Sequence, residues 1–206
     1  MNHGLDERSI QEAAKLITRG GVIAFRTDTF YGLGADPFNP DAVRKIKQLK
    51  GRDEQKPILI VISDRDQLDR LMGDRARAFD LLASRFWPGP LTLIGRAAPE
   101  VPAEISAGTG TVGVRLPGDD KVRALIRGCG GALTATSANP ADRAPAKTAQ
   151  EVSDYFGEAI ELIVDGGAAQ TDLPSTVVDV SGTEPKLVRE GVIKWAEIQS
   201  ALSQLT

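Results

Sequence analysis

The stretch "GGVIAFRTDTFYGLGAD", residues 20–36, decides how the rest of the chain is read. Two glycines end whatever precedes them, and Val22–Phe25 reads as a buried strand. Short polar groups follow at once, Thr27, Asp28 and Thr29, before an expected turn on Gly32 and Gly34. A surface turn seldom needs so many of them beside one tyrosine, although a plain strand end with a glycine turn would also account for them. Upstream, "SIQEAAKLITRGG" predicts a helix from about Ser9 to Arg19, with Ile10, Ala13, Ala14 and Ile17 on one face. Downstream, "NPDAVRKIKQLKG" predicts a second helix with Asn39 as N-cap, Pro40 in its first turn and Gly51 ending it.

The remaining chain continues in mixed order. "PILIVIS" is nearly all apolar, which predicts a strand covered on both faces. Helices are expected in "DRDQLDRLM", "DRARAFDLLASRF", "DKVRALIRG" and "WAEIQSALSQL", and one in "TAQEVSDYFG" behind a Thr148–Glu151 capping box. Strands are expected in "LTLIGR", "TVGVRLP", "GALTATS", "IELIVDGG", "STVVDVSG" and "KLVREG". The order predicts an α/β protein with one mixed, twisted, open sheet and flanking helices. No polar linker interrupts it, so a single domain over 1–206 is expected.

Composition narrows the function classes. The 206 residues are 41% hydrophobic and 26% charged, an ordinary globular balance. With 25 basic against 28 acidic residues the net charge is -3, which gives no reason to expect a nucleic-acid binder. Cys129 is the only cysteine, so no intramolecular disulfide forms, as suits a reducing cytoplasm. There is no signal-peptide core and no run near the roughly 20 apolar residues of a membrane span. A soluble, cytoplasmic protein without a membrane partner is expected. The single histidine, His3, is expected in a mobile terminus, which disfavours Ser-His-Asp, Cys-His and histidine-zinc chemistry. Lys, Arg, carboxylates, hydroxyls and backbone amides are left to carry the chemistry.

Several strands end in such groups. "KQLKGRDEQKP", residues 47–57, places Lys50, Arg52 and Lys56 around a helix end and the following loop. Cations there complement the helix dipole, but they equally suit polyphosphate oxygens. Neither the dinucleotide fingerprint nor the Walker A loop is present. "TVGVRLP" puts Arg115 near a strand end, and "LTATSANPADRAP" follows a strand with Ser137 and Asn139. "DLPSTVVDV" opens a strand with Ser175, and "KLVREG" carries Arg189 before Gly191. Each fragment also reads as an ordinary turn or edge. Their shared form suggests convergence at the rim of a sheet, where open sheets place ligands, into a polar, positive cavity for a triphosphate and a small zwitterion.

In order, "TDTFYGLGAD", "KGRDEQKP", "FWPGPLT", "TVGVRLP", "TSAN", "PSTVVD" and "LVREG" resemble the YrdC-like threonylcarbamoyl-AMP synthases. The resemblance covers about residues 10–192. It implies a twisted open sheet around a large, positively charged cavity. It also implies a nucleotidyltransferase that makes L-threonylcarbamoyladenylate and pyrophosphate from L-threonine, bicarbonate and ATP. The product serves N6-threonylcarbamoyladenosine formation in tRNA through a tRNA threonylcarbamoyl transferase complex. Carried over by motif, Thr29, Arg115, Ala135 and Ser175 are implied to bind threonine. Arg52, Lys56, Thr111, Ser137, Asn139, Pro145 and Arg189 are implied for ATP. Lys50 and Arg52 are implied as catalytic, with magnesium accompanying the phosphates and no protein ligand assigned to it. Arg26 stands where the family usually has proline, Val61 where it often has histidine, and Ala141–Asp142 where Ser-Gly is common. The chain ends too early for the second domain of longer relatives, so the short, single-domain form is expected. An RNA-binding module of the same fold, with weak tRNA contact and no ATP turnover, and a carbamoyl-adenylate enzyme are the alternatives.

Overall fold

The computed structural model describes residues 2–51 and 56–205. In chain order the elements are β1 (Asn2–Gly4), α1 (Glu7–Thr18), β2 (Ile23–Arg26), β3 (Tyr31–Gly34), α2 (Pro40–Lys50), β4 (Ile60–Ile62) and α3 (Leu68–Leu71). Then come α4 (Arg77–Phe86), β5 (Leu91–Arg96), α5 (Ala103–Ser106), β6 (Thr111–Arg115), α6 (Asp120–Gly128), β7 (Ala132–Thr134) and β8 (Thr136–Ser137). The chain closes with α7 (Ala149–Phe156), β9 (Leu162–Asp165), β10 (Thr176–Asp179), β11 (Lys186–Arg189) and α8 (Trp195–Leu202). Both β11 and α8 lie where hydrophobic patterning predicts them.

Local chemistry sets the helix ends. Asp6 accepts from the Ser9 amide at 2.8 Å while Ser9 Oγ accepts from the Asp6 amide at 3.0 Å. This reciprocal cap starts α1 at Glu7, ahead of the expected Ser9. Asn39 Oδ1 accepts from the Asp41 and Ala42 amides, and Gly51 ends α2 in the left-handed region at φ 56°. At α7 only half of the expected box forms. Thr148 accepts from the Glu151 amide, whereas the Glu151 carboxylate takes the amide of Lys147.

The strands divide between two mixed sheets, not one. The five-stranded sheet runs β1-β9-β2-β3-β8 and the six-stranded sheet runs β11-β10-β5-β6-β4-β7. The split is visible in "GALTATS", expected as a single strand. Ala132–Thr134 pairs antiparallel with β4, and two residues later Thr136–Ser137 pairs with β3. Between them the Ala135 amide donates to the Leu59 carbonyl at 2.7 Å, so one short run joins both sheets.

The glycines after Tyr31 do not form a turn. Gly32 and Gly34 lie inside β3, opposite Phe25 and Ile23 of β2, and the reversal is made earlier, with the Thr27 amide bonded to the Phe30 carbonyl at 3.0 Å. A Cβ on Gly34 would sit 2.6 Å from Phe25 Cε1, so glycine is required there by close packing. The amino terminus also departs from expectation: Asn2–Gly4 pairs in parallel with Ile163–Asp165, giving that backbone a place at the sheet edge.

Alternation along the strands fills two apolar cores. In β2, Ala24 faces one cluster while Ile23 and Phe25 face the other; in β4, Ile60 and Ile62 face the first and Val61 the second. Both strands are therefore covered on both faces, as the apolar run "PILIVIS" predicts. The second core is closed by α1 packed on α6, and α8 packs on α4. Each large side chain so buried contributes about 1.5–3 kcal/mol relative to exposure. Among the described residues no helix is long and apolar enough to cross a membrane.

Candidate active site

The strand ends of the two sheets meet at a cavity of about 210 Å³. From the five-stranded sheet and its turn come Thr27, Thr29 and Ser137; from the six-stranded sheet and its loops come Val61, Thr92, Arg115, Ser175 and Arg189. Arg115 is brought there because β6 runs parallel to β4, in register opposite Val61. Ser137 arrives through the crossover at Ala135, which also lines the cavity, as does Pro145.

The polar groups interlock. Thr27 Oγ1 donates to the Phe30 carbonyl at 2.8 Å and accepts from the Thr29 amide at 3.1 Å, which fixes the turn. Arg115 Nη1 donates to Thr29 Oγ1 at 3.2 Å and lies 3.4 Å from Asp28 Oδ1. Asp28 Oδ2 in turn accepts from the Gly118 amide. Across the cavity, Ser175 Oγ and Thr92 Oγ1 are 3.0 Å apart. The Arg189 guanidinium donates through Nη2 to Ser175 Oγ at 3.1 Å and through Nε and Nη2 to the Ser175 carbonyl. Although β11 is an exposed edge strand, this guanidinium is tucked against Ser175. Its burial, and then the nearby Arg115 charge, pull its pKa below the ordinary arginine value. Two guanidinium groups thus face one cavity with Asp28 as the nearby carboxylate, a field that favours anionic ligand groups. Tyr31, fully buried below them, bonds Asp165 Oδ1 and the Gly167 carbonyl; burial first, then Asp165, push its phenol well above the ordinary value.

Of the residues proposed from sequence, Thr29, Arg115, Ala135, Ser137, Pro145, Ser175 and Arg189 line this cavity. Four others are placed differently. Lys50, 4% exposed, sends its ammonium into the turn after β8, where it bonds the carbonyls of Ser137 and Asn139 and the Asn139 side chain. Asn139 is buried there, its amide nitrogen on the carbonyls of Pro140 and Arg143. Thr111 stands at the far end of β6 from Arg115, about 13 Å along the strand at its usual rise, bonded to Thr109. Lys56 is exposed and lies outside the cavity lining. Arg52 falls outside the described residues. Arg26, in the position where proline is usual, ion-pairs with Asp119 beside Gly166.

Thr92 has no role in the sequence reading, yet it lines the site, as does Thr27 of the "TDT" turn. Thr92 had a readable signal: it is the one polar side chain in the apolar run "LTLIG". Thr27 had none beyond its place in "TDT", because its role lies in a turn geometry no pattern specifies.

Taken together, the fold and cavity define an α/β protein with hydroxyls and two guanidinium groups gathered between the strand ends of two sheets. The chain belongs to the Sua5/YciO/YrdC family, whose model, described as "Telomere recombination", matches residues 15–191. It is 36% identical over 201 residues to a threonylcarbamoyl-AMP synthase of Pyrococcus abyssi, covering 98% of this chain and 59% of that protein. It is 35% identical over 170 residues to a threonylcarbamoyl-AMP synthase of Halorhodospira halophila, covering 82% and 89%. The crystal structure of P. abyssi Sua5 complexed with L-threonine superposes with a TM-score of 0.93 at 36% identity, covering 98% of this chain and 59% of that one. The chain therefore spans about three fifths of the Pyrococcus protein's length.

Proposed function

We propose that this protein is an L-threonylcarbamoyladenylate synthase, joining L-threonine, bicarbonate and ATP with release of pyrophosphate and water. The observation that carries the reading is the meeting of Thr29, Arg115, Ser137, Ser175 and Arg189 in one cavity from five separate stretches of chain. At about 210 Å³ this cavity falls below the roughly 300–1,000 Å³ usual for drug-sized ligands. It suits an amino acid and its carbamate, with the nucleotide lying outward past Ser137 and Arg189.

In this reading Arg115 and Ser175 take the amino acid's carboxylate, while the apolar wall of Pro57, Leu59 and Val61 faces its methyl. The neutral amine attacks the bicarbonate carbon, and the departing hydroxide takes the proton that the nitrogen loses and leaves as water. A carbamate oxygen then attacks the α-phosphorus, and the pyrophosphate oxygen departs with the bond's electrons. Such transfers depend on positioning and charge neutralisation, which arginines and hydroxyls supply without a covalent enzyme intermediate. Arg189 and, from the loop after α2, Arg52 and Lys56 are assigned to the phosphates. Lys50 is better suited to shaping the Ser137 turn, given the carbonyls its ammonium already holds.

Among the described residues no group of three or more His, Cys, Asp or Glu side chains gathers to cage a metal. The hydroxyl of Ser137 is a hard oxygen donor on the cavity wall, which fits magnesium carried in on the triphosphate and holding most of its phosphate and water ligands. That ion would neutralise charge developing on the leaving pyrophosphate. The reactive mixed anhydride so formed would pass to a tRNA-modifying transferase in the cytoplasm. Incubation with ATP, bicarbonate and each amino acid in turn, followed by pyrophosphate and adenylate analysis, tests the reading. Threonine-specific, bicarbonate-dependent release is expected; RNA binding without ATP turnover would overturn it.

A further inference from the structure

Two hydroxyls at the base of the cavity, Thr92 and Ser175, lie 3.0 Å apart with no element of sequence to say which one donates. Their surroundings decide it. Thr92 is fully buried, and its hydroxyl has Ser175 Oγ as its hydrogen-bonding partner among the described residues. Left unpaired, a buried hydroxyl hydrogen would cost about 1–3 kcal/mol, so the Thr92 hydrogen is directed at Ser175. The Ser175 oxygen also accepts from Arg189 Nη2 at 3.1 Å. A serine oxygen has two lone pairs and one hydrogen. With both lone pairs engaged by Thr92 and Arg189, the remaining capacity of Ser175 is its own hydrogen, facing the cavity.

We infer that Thr92 is a positioning residue that sets Ser175 as a hydrogen-bond donor to the cavity ligand. This rests on the amino-acid reading of the site and deepens it, because an obligate donor selects a ligand acceptor, the carboxylate, at that point. An amine or ammonium at the same place would meet a hydrogen and a guanidinium, and is rejected. Selection is thus written into a residue that need not touch the ligand through its oxygen.

Neutron diffraction of deuterium-exchanged crystals reads the assignment directly. The Thr92 deuterium is expected on the line to Ser175 Oγ and the Ser175 deuterium toward the cavity; the reverse arrangement overturns the inference. Calorimetric titration with L-threonine reads the consequence. Thr92→Val, which keeps shape and loses the hydroxyl, should bind about fivefold more weakly, the effect of one ordinary hydrogen bond, and Thr92→Ser should stay within about twofold of the parent. Parent-like binding by Thr92→Val would also overturn it. If the parent protein binds no L-threonine while the deuterium positions are as stated, the amino-acid reading fails and the hydroxyl assignment stands.

Discussion

Replacing Lys50 by methionine tests whether its ammonium builds the site instead of meeting the ligand. The stem of Lys50 is buried at the end of α2, and methionine fills nearly the same volume without the charge. Among the bonds lost are those from Nζ to the Asn139 carbonyl at 2.8 Å, to Asn139 Oδ1 at 3.3 Å, to the Ser137 carbonyl and to Ser137 Oγ at 3.5 Å. Bonds from a charged donor contribute about 1.5–3 kcal/mol each before their non-additivity. Against this stands the cost of burying an ammonium, several kcal/mol, which methionine does not incur. The balance is a loss of about 2–4 kcal/mol, most of it from the Asn139 carbonyl and Oδ1 losing the ammonium, since the Ser137 carbonyl keeps the Asn139 amide at 3.0 Å. With a urea slope of about 2 kcal/mol per molar, the unfolding midpoint should fall by about 1–2 M. The main-chain bond from the Ala141 amide to the Lys50 carbonyl at 3.0 Å survives the substitution, so the turn should loosen without detaching. Equilibrium urea unfolding, followed by circular dichroism and by tryptophan fluorescence, measures the change. A midpoint within about 0.3 M of the parent, at this slope under 1 kcal/mol, would refute the assignment of Lys50 to the turn.

Three further outcomes are expected. Burial opposes the Asp119 carboxylate, but the amides of Val122 and Lys121 and the Arg26 charge outweigh it and hold its pKa below the ordinary value. Its folded pKa being the lower one, the stabilisation is complete above the unfolded value of about 3.9 and is lost as pH falls through the folded one. Asp119→Asn, which still caps α6, should flatten the stability profile below about pH 4, and an unchanged acid limb would count against the ion pair. Burial pushes the Cys129 thiol up to about 12, so the native protein should resist a thiol-disulfide reagent at pH 8 and react only on unfolding. Gly34→Ala should cost about 1–3 kcal/mol in thermal unfolding, because its methyl meets the Phe25 ring inside a packed core; a parent-like melting temperature would deny that contact.

Much of this molecule is set by local pattern alone. The capped ends of α2, the two-faced burial of β4 and the polar residues at the ends of β2 and β6 follow from apolar periodicity and side-chain chemistry. These act over a few residues, so a linear reading recovers them, and the resemblance of seven ordered motifs points to the same family that the comparison identifies. Other features depend on partners distant in the chain. Whether "GALTATS" is one strand or two is decided by β4 and β3, each of which pairs with one end of it. Gly34 reads as a turn residue until Phe25 lies across it. Lys50 reads as a phosphate ligand from sequence, and only the packed chain adds the carbonyls of residues 137 and 139 around its ammonium. Thr92 is unremarkable until Ser175, 83 positions later, is placed against it. A sequence specifies which hydrogen-bonding groups exist, whereas only the packing of the two sheets determines which of them remain available to a ligand.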